Sequence, residues 1–230
     1  MEPPHHCGVA AKQVKQARGF TLIELMVVLA IITIISLIIV TNQGAFNRTL
    51  LLENTAYDVA LTLRSAETYG LGNRIAGSIA NAGYGLDFQK ATPGSFTLFA
   101  DTSPLSSDPS ACHPNPNPSA PNARPGNCVY DANQGEKVTG YTLGNGITIS
   151  DFCAYTPNTL SWSCASGSLT SLDIVFSRPN PDPFMSVNGY YSATFPITKA
   201  CIALTSQQGG ARFVSVAASG EITANASSCP

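Results

Sequence analysis

From Phe20 to Val40, 21 consecutive residues carry a single charge, that of Glu24. Such a run is long enough to cross a bilayer as a helix, for which roughly 20 apolar residues suffice. A carboxylate inside a membrane-length segment is expensive, and ionisable groups so placed are rare and usually functional. Lys12, Lys15 and Arg18 lie just before the run, and the residues just after it carry little positive charge. The positive-inside rule therefore leaves the N-terminal residues in the cytoplasm and the remainder of the chain outside it.

The octet Gly19-Phe-Thr-Leu-Ile-Glu24-Leu-Met, with its basic leader and apolar continuation, resembles the type IV prepilin signal. The resemblance implies that a prepilin peptidase/methyltransferase cuts after Gly19 and N-methylates the new terminal Phe20. It also implies other pilin or pseudopilin subunits and an inner-membrane assembly platform as partners. An ordinary secretory signal has a shorter apolar core that ends at its cleavage site. Here the implied cut precedes the core, so the core stays with the mature chain. An uncleaved signal anchor is the plainer alternative. Cutting at Gly19 also gives Glu24 a role. The freed Phe20 amine keeps its positive charge on methylation, and in stacked helices the amine of one subunit and the Glu24 carboxylate of another neutralise each other. The pair would set subunit register during assembly. The alternative is a carboxylate that sits at the membrane interface or is protonated there.

Only 11% of the residues are charged. Removing Glu2, Lys12, Lys15 and Arg18 from 14 acidic and 12 basic residues leaves 13 and 9, a net of about −4. That is a poor footprint for nucleic acid. Of seven cysteines, Cys7 belongs to the leader. The remaining six, Cys112, Cys128, Cys153, Cys164, Cys201 and Cys229, lie on the exported side, where disulfides persist. Many connectivities are open to six cysteines. Sequential pairing is the expectation, because Cys112 and Cys128 flank a Pro-rich loop while Cys153 and Cys164 flank a hairpin-like stretch. With His113 the one mature histidine and no C-x-x-C spacing, no zinc site is expected.

No proline occurs between Pro4 and Pro93, so a helix can continue past Val40. Leu52, Ala56, Val59, Ala60, Leu63 and Ala66 recur at helical spacing, with charged residues mostly between them. Gly44 is a weak point, where a bend or frayed turn is expected over 42–45. Gly70, Gly72 and Asn73 close the pattern. A helix of about 50 residues is roughly 75 Å long. Strands are expected at 95–101, 138–143, 147–152, 169–177, 190–195, 200–205, 211–217 and 221–223, with Gly-rich turns between them. Short strands without intervening helices pair antiparallel. The fold class is therefore α+β, one long helix on an antiparallel sheet. The expected divisions are a leader over 1–19, a transmembrane and filament-core helix over 20–40, an amphipathic continuation over 41–72, and a β-rich head over 73–230.

The long N-terminal helix and β head also resemble pilins as a group. Leu61-Thr-Leu-Arg-Ser-Ala-Glu, Leu172-Asp-Ile-Val-Phe-Ser and Cys201-Ile-Ala-Leu…Arg212-Phe-Val-Ser-Val…Ser219-Gly-Glu-Ile are similar to the GspH/FimT minor pilins and pseudopilins. DNA-binding members of that group carry a basic motif after the last glycine, whereas Gly220 is followed by Glu221-Ile-Thr-Ala. This departure argues against DNA capture.

The 103–127 loop is crowded with proline and cannot donate ladder hydrogen bonds regularly. A second insertion, Arg178-Pro-Asn-Pro-Asp-Pro, joins two strands. Such loops either recognise ligands or merely decorate a scaffold. Asp101 with Asp108, or Asp182 with nearby asparagines, could hold Ca²⁺, but solvated loop carboxylates are the simpler reading. Trp162, the one tryptophan, reads as a core or disulfide-packing aromatic more readily than as a sugar platform. No catalytic constellation or cofactor motif stands out. The expected function is a structural minor pilin or pseudopilin, held in the cytoplasmic membrane and then built into a filament. The alternative is a filament-borne adhesin or DNA-uptake module that binds through its head loops.

Overall fold

The structure is a computed structural model that describes residues 19–72, 74–104, 112, 124–207, 209–226 and 228–229. The leader residues 1–18 and most of the Pro-rich loop, with Asp108 and His113, lie outside the described residues. The chain divides into two compact units between Gly44 and Ala45.

Helix α1 spans Leu22–Leu71. Its helical backbone continues through 42–45, without the frayed turn that is one of the two alternatives expected at Gly44. In the first unit, Leu22–Val40 has a mean hydropathy of 3.0 and none of it is buried. In the second unit, Leu52, Ala56, Val59, Ala60, Leu63 and Ala66 are all buried, so one stripe of the helix faces the head. Glu53 pairs with Arg212 at 2.6 Å, and Arg64 with Glu67 at 3.0 Å, at the edges of that stripe.

The head contains two antiparallel five-stranded sheets where one was expected. The first comprises β1 (Gly83–Gln89), β2 (Ser95–Asp101), β3 (Lys137–Thr142), β6 (Ser171–Phe176) and β7 (Phe184–Val187), in the order β3-β2-β1-β6-β7. The second comprises β4 (Ile147–Thr156), β5 (Ser161–Cys164), β8 (Lys199–Ser206), β9 (Ala211–Ala217) and β10 (Ile222–Ala226), in the order β10-β9-β8-β4-β5. A continuous core joins the helix stripe to Tyr84, Leu86, Phe88, Leu172, Ile174 and Phe176 of the first sheet. The same core takes in Phe152, Ile202, Leu204, Val214 and Val216 of the second.

Three strands escaped the sequence pattern. β1 contains Gly83, Gly85 and Asp87, residues depleted in strands. Gly85 is needed there, because a Cβ would lie 2.5 Å from the Ile174 carbonyl oxygen of the adjacent strand. β5 is the return arm of the hairpin anticipated between Cys153 and Cys164. β7 follows directly on the Pro-rich Arg178–Pro183 insertion. Conversely, 190–195 is not a strand. Asn188 and Gly189 adopt positive φ and turn the chain, and the Ser192 hydroxyl accepts the Phe195 N–H at 3.0 Å. Those local bonds take the place of a ladder, leaving Tyr190 and Phe195 exposed.

Candidate functional site

The N-terminal segment is built on the first turn of α1. Thr21 precedes the helix, its hydroxyl accepts the Glu24 N–H at 3.3 Å, and its carbonyl accepts the Leu25 N–H at 3.2 Å. Thr21-x-x-Glu24 is thus the spacing of a capping box, with the hydroxyl half of that box formed. The glutamate also lies in the first helical turn, where the macrodipole favours negative charge. This local role of Glu24 was missed in the sequence reading, although the Thr-x-x-Glu pattern before an apolar run signals it. Gly19 has open space around it, and Phe20 is 83% exposed. A cleavable bond and a terminal amine at these positions are sterically free. Beyond them runs a face of exposed Ile, Leu and Val side chains through Val40.

Residues 14–40 match the family described as the prokaryotic N-terminal methylation motif. The chain carries a prepilin-type signal. That signal supports a type IV pilin-like protein in general and implies processing by a prepilin peptidase and assembly with other pilin subunits. With the apolar helix, it also supports membrane anchoring before filament assembly. No match was found among curated proteins or among solved structures.

Away from the prepilin-type segment, the six cysteines of the head form Cys112–Cys128, Cys153–Cys164 and Cys201–Cys229, paired in chain order. Cys153 and Cys164 are also register partners across β4 and β5. Two groups of acid and cysteine atoms, Asp101 with Cys112 and Cys128 and Asp151 with Cys153 and Cys164, come within ligand distance of one another. Their sulfurs are spent in disulfides, so neither group offers a thiolate for a metal.

The outer face of the first sheet is sealed by residues 124–136, a strap that follows the Pro-rich loop. Three buried carboxylates, Asp101, Glu136 and Asp173, bind it down, and a fourth, Asp87, is buried on β1 beside Asp173. Asp101 accepts the N–H groups of Asn127 and Cys128 at 3.0 and 2.9 Å. Glu136 accepts those of Thr102, Ser103 and Asp131 at 2.9, 3.0 and 2.9 Å. Asp173 accepts that of Tyr130 at 3.2 Å, and Asp87 takes a bond from Gln89 at 2.7 Å. Burial pushes all four carboxyls up, Asp101 and Asp173 well up and Asp87 to about 6. Asp101 therefore acts as a receptor for backbone amides, and its engaged oxygens do not suit the Ca²⁺ role considered for it. Asp182 is exposed in the second insertion. That insertion is docked against the β9–β10 turn, where a Cβ on Gly220 would meet the Pro181 carbonyl at 2.7 Å. Trp162 is half-buried against Tyr155, at a ring separation of 5.3 Å.

Proposed function

We propose that this chain is a structural subunit of a type IV pilus-like or type II secretion-like filament, of the minor pilin or pseudopilin kind and closest in character to GspH/FimT. It has no catalytic role of its own. One observation carries the reading. The Leu22–Val40 helix is unburied along its whole length, and it begins directly after the Gly19–Phe20 junction of a matched methylation motif. Such a helix needs lipid before assembly and other helices after it. Lys12, Lys15 and Arg18 on the leader side and three disulfides in the head support a head outside the cytoplasm.

The test is mass spectrometry of the chain recovered from sheared filaments. The expected product starts at Phe20 and carries one added methyl group. An intact leader in that fraction overturns the proposal. A second reading, a filament-borne binding module, is favoured by the groove described next.

A further inference from the structure

On the outer face of the second sheet, two adjacent rungs of side chains run across the strands, one over four of them and the next over all five. One rung holds Trp162, Tyr155, Lys199 and Ala217, which are successive register partners across β5, β4, β8 and β9. The next holds the Cys153–Cys164 bridge, Cys201, Ser215 and Thr223. All of these but the Cys153–Cys164 bridge, together with Glu221 and Ser228, line an open groove of ≈ 530 Å³. That volume falls within the roughly 300–1,000 Å³ of small-ligand sites. The Cys201–Cys229 bridge pins the C-terminal wall to the floor of the groove.

We propose that this groove binds a neutral oligosaccharide, with Tyr155 and Trp162 as the stacking platform and Lys199, Glu221, Ser215 and Thr223 as hydrogen-bonding groups. The two rings are inclined at 45°, both are half-buried, and both line the groove. Trp and Tyr combine large apolar faces with a polar edge, which suits sugar rings whose C–H faces are apolar and whose rims are hydroxylated. The polar lining has one cation, one anion and the hydroxyls of Ser215, Thr223, Ser228 and Tyr155, so it donates and accepts without net charge. A polyanion such as nucleic acid calls for several cations, and only Lys199 is present. An extended peptide would pair with the free edge of β5 or β10 rather than lie across the sheet face. The binding site therefore lies on the sheet face, not on the Pro-rich loop, and it does not depend on the filament reading.

Trp162 is the chain's one tryptophan, so its emission reports on the groove alone. The experiment titrates the oxidised full chain, in detergent micelles and unassembled, with cellohexaose and separately with chitohexaose, both uncharged. We expect a saturable change in Trp162 emission with at least one of them. Calorimetry should then show about tenfold weaker binding in Tyr155→Ala and Trp162→Ala, and a smaller loss in Glu221→Gln. Glu221→Gln is a surface change that preserves shape, so it keeps the test open if an aromatic variant fails to fold. Tyr190→Ala, at an aromatic outside the groove that is 70% exposed, should bind as the unaltered chain does. No saturable change with either sugar overturns the proposal. So does unaltered affinity in both Tyr155→Ala and Glu221→Gln, or an emission change produced by a mixed peptide pool or single-stranded DNA and by neither sugar.

Discussion

Asp87 on β1 and Asp173 on β6 are register partners, 2% and 1% exposed, with no lysine or arginine paired to either among the described ion pairs. The groups facing them are the Tyr130 amide from the strap, the Gln89 amide from β1, and a third buried carboxyl, Asp101, from β2. One oxygen of Asp173, Oδ2, meets no donor in the protein, and Asp87 lies beside it. Two carboxyls in that position are compatible only if they share a proton, because a pair of buried like charges is too costly.

The pair predicts an acid-stabilised head. Asp87 holds its proton to about pH 6 when folded, against an ordinary value of 3.8. The folded chain therefore binds more protons than the unfolded chain between these values, and stability falls as pH rises through them. Below about 4 the contribution is fully present, and above about 6 it is lost. The loss is on the order of 3 kcal/mol for Asp87. Asp101, Asp173 and Glu136 are raised by burial too and act in the same direction. Asp87→Asn should donate to Asp173 Oδ2, raise the melting temperature at pH 7.5 by several degrees, and change little at pH 4.5. Calorimetric scans across that range check it, and an unchanged pH slope in the variant would rule out the shared proton.

A second prediction concerns Gly70, the penultimate residue of α1. A Cβ at this position would lie 2.0 Å from the Phe176 carbonyl oxygen at the end of β6. That atom is backbone and cannot rotate aside, so Gly70→Ala must push the helix off the first sheet. The cost should exceed the gain in helix propensity of about 1 kcal/mol and reach at least about 2 kcal/mol net destabilisation. Gly94→Ala, with nothing within 4 Å, is the control and should stay within about 0.5 kcal/mol. Denaturant midpoints of the two variants decide it.

Gly70 also shows what sequence could and could not convey. Its place near the helix end was legible from the Gly-rich run after Tyr69, but its close approach to Phe176 depends on a strand more than a hundred residues away. The same division runs through the head. β2 and β9 were legible to the residue, because β-branched and aromatic alternation marks them locally. The split into two sheets was not, since pairings such as β1 with β6 are settled by distant partners. Asp173 sits within Leu172-Asp-Ile-Val, where alternation suggests a solvent-facing carboxylate. The strap that buries it comes from elsewhere in the chain. In the N-terminal segment, by contrast, every determinant lies within a few residues of Gly19.

The disulfides should differ in weight. Cys112–Cys128 closes a separation of 16 residues and holds the start of the strap, where Cys128 is fully buried and its carbonyl accepts the Ser186 hydroxyl. Cys153–Cys164 joins residues already held in register by the β4–β5 hairpin. Replacing both cysteines of the first bridge by serine should cost about 2–4 kcal/mol, and replacing both of the second should cost less. Melting temperatures of the two double variants test the order. Equal losses would show that the hairpin does not hold Cys153 and Cys164 together unaided.

The last prediction separates two roles for Glu24. As a helix-start residue, Glu24 needs only a side chain that can complete the capping box with Thr21, and glutamine serves there as well as glutamate. As a partner for a neighbouring subunit's Phe20 amine, it must be charged. Glu24→Val removes both roles, whereas Glu24→Gln removes only the charge. Neither change adds charge to the span, so membrane insertion and cleavage after Gly19 should proceed in both. If the carboxylate pairs between subunits, each variant should lose about 3–5 kcal/mol of assembly free energy, the range for breaking a buried ion pair. The measurement is the fraction of cleaved protein recovered in sheared filaments, with the exposed Asp182→Asn as a control that should assemble normally. Normal recovery for Glu24→Gln alongside poor recovery for Glu24→Val would assign Glu24 to helix initiation instead of subunit pairing.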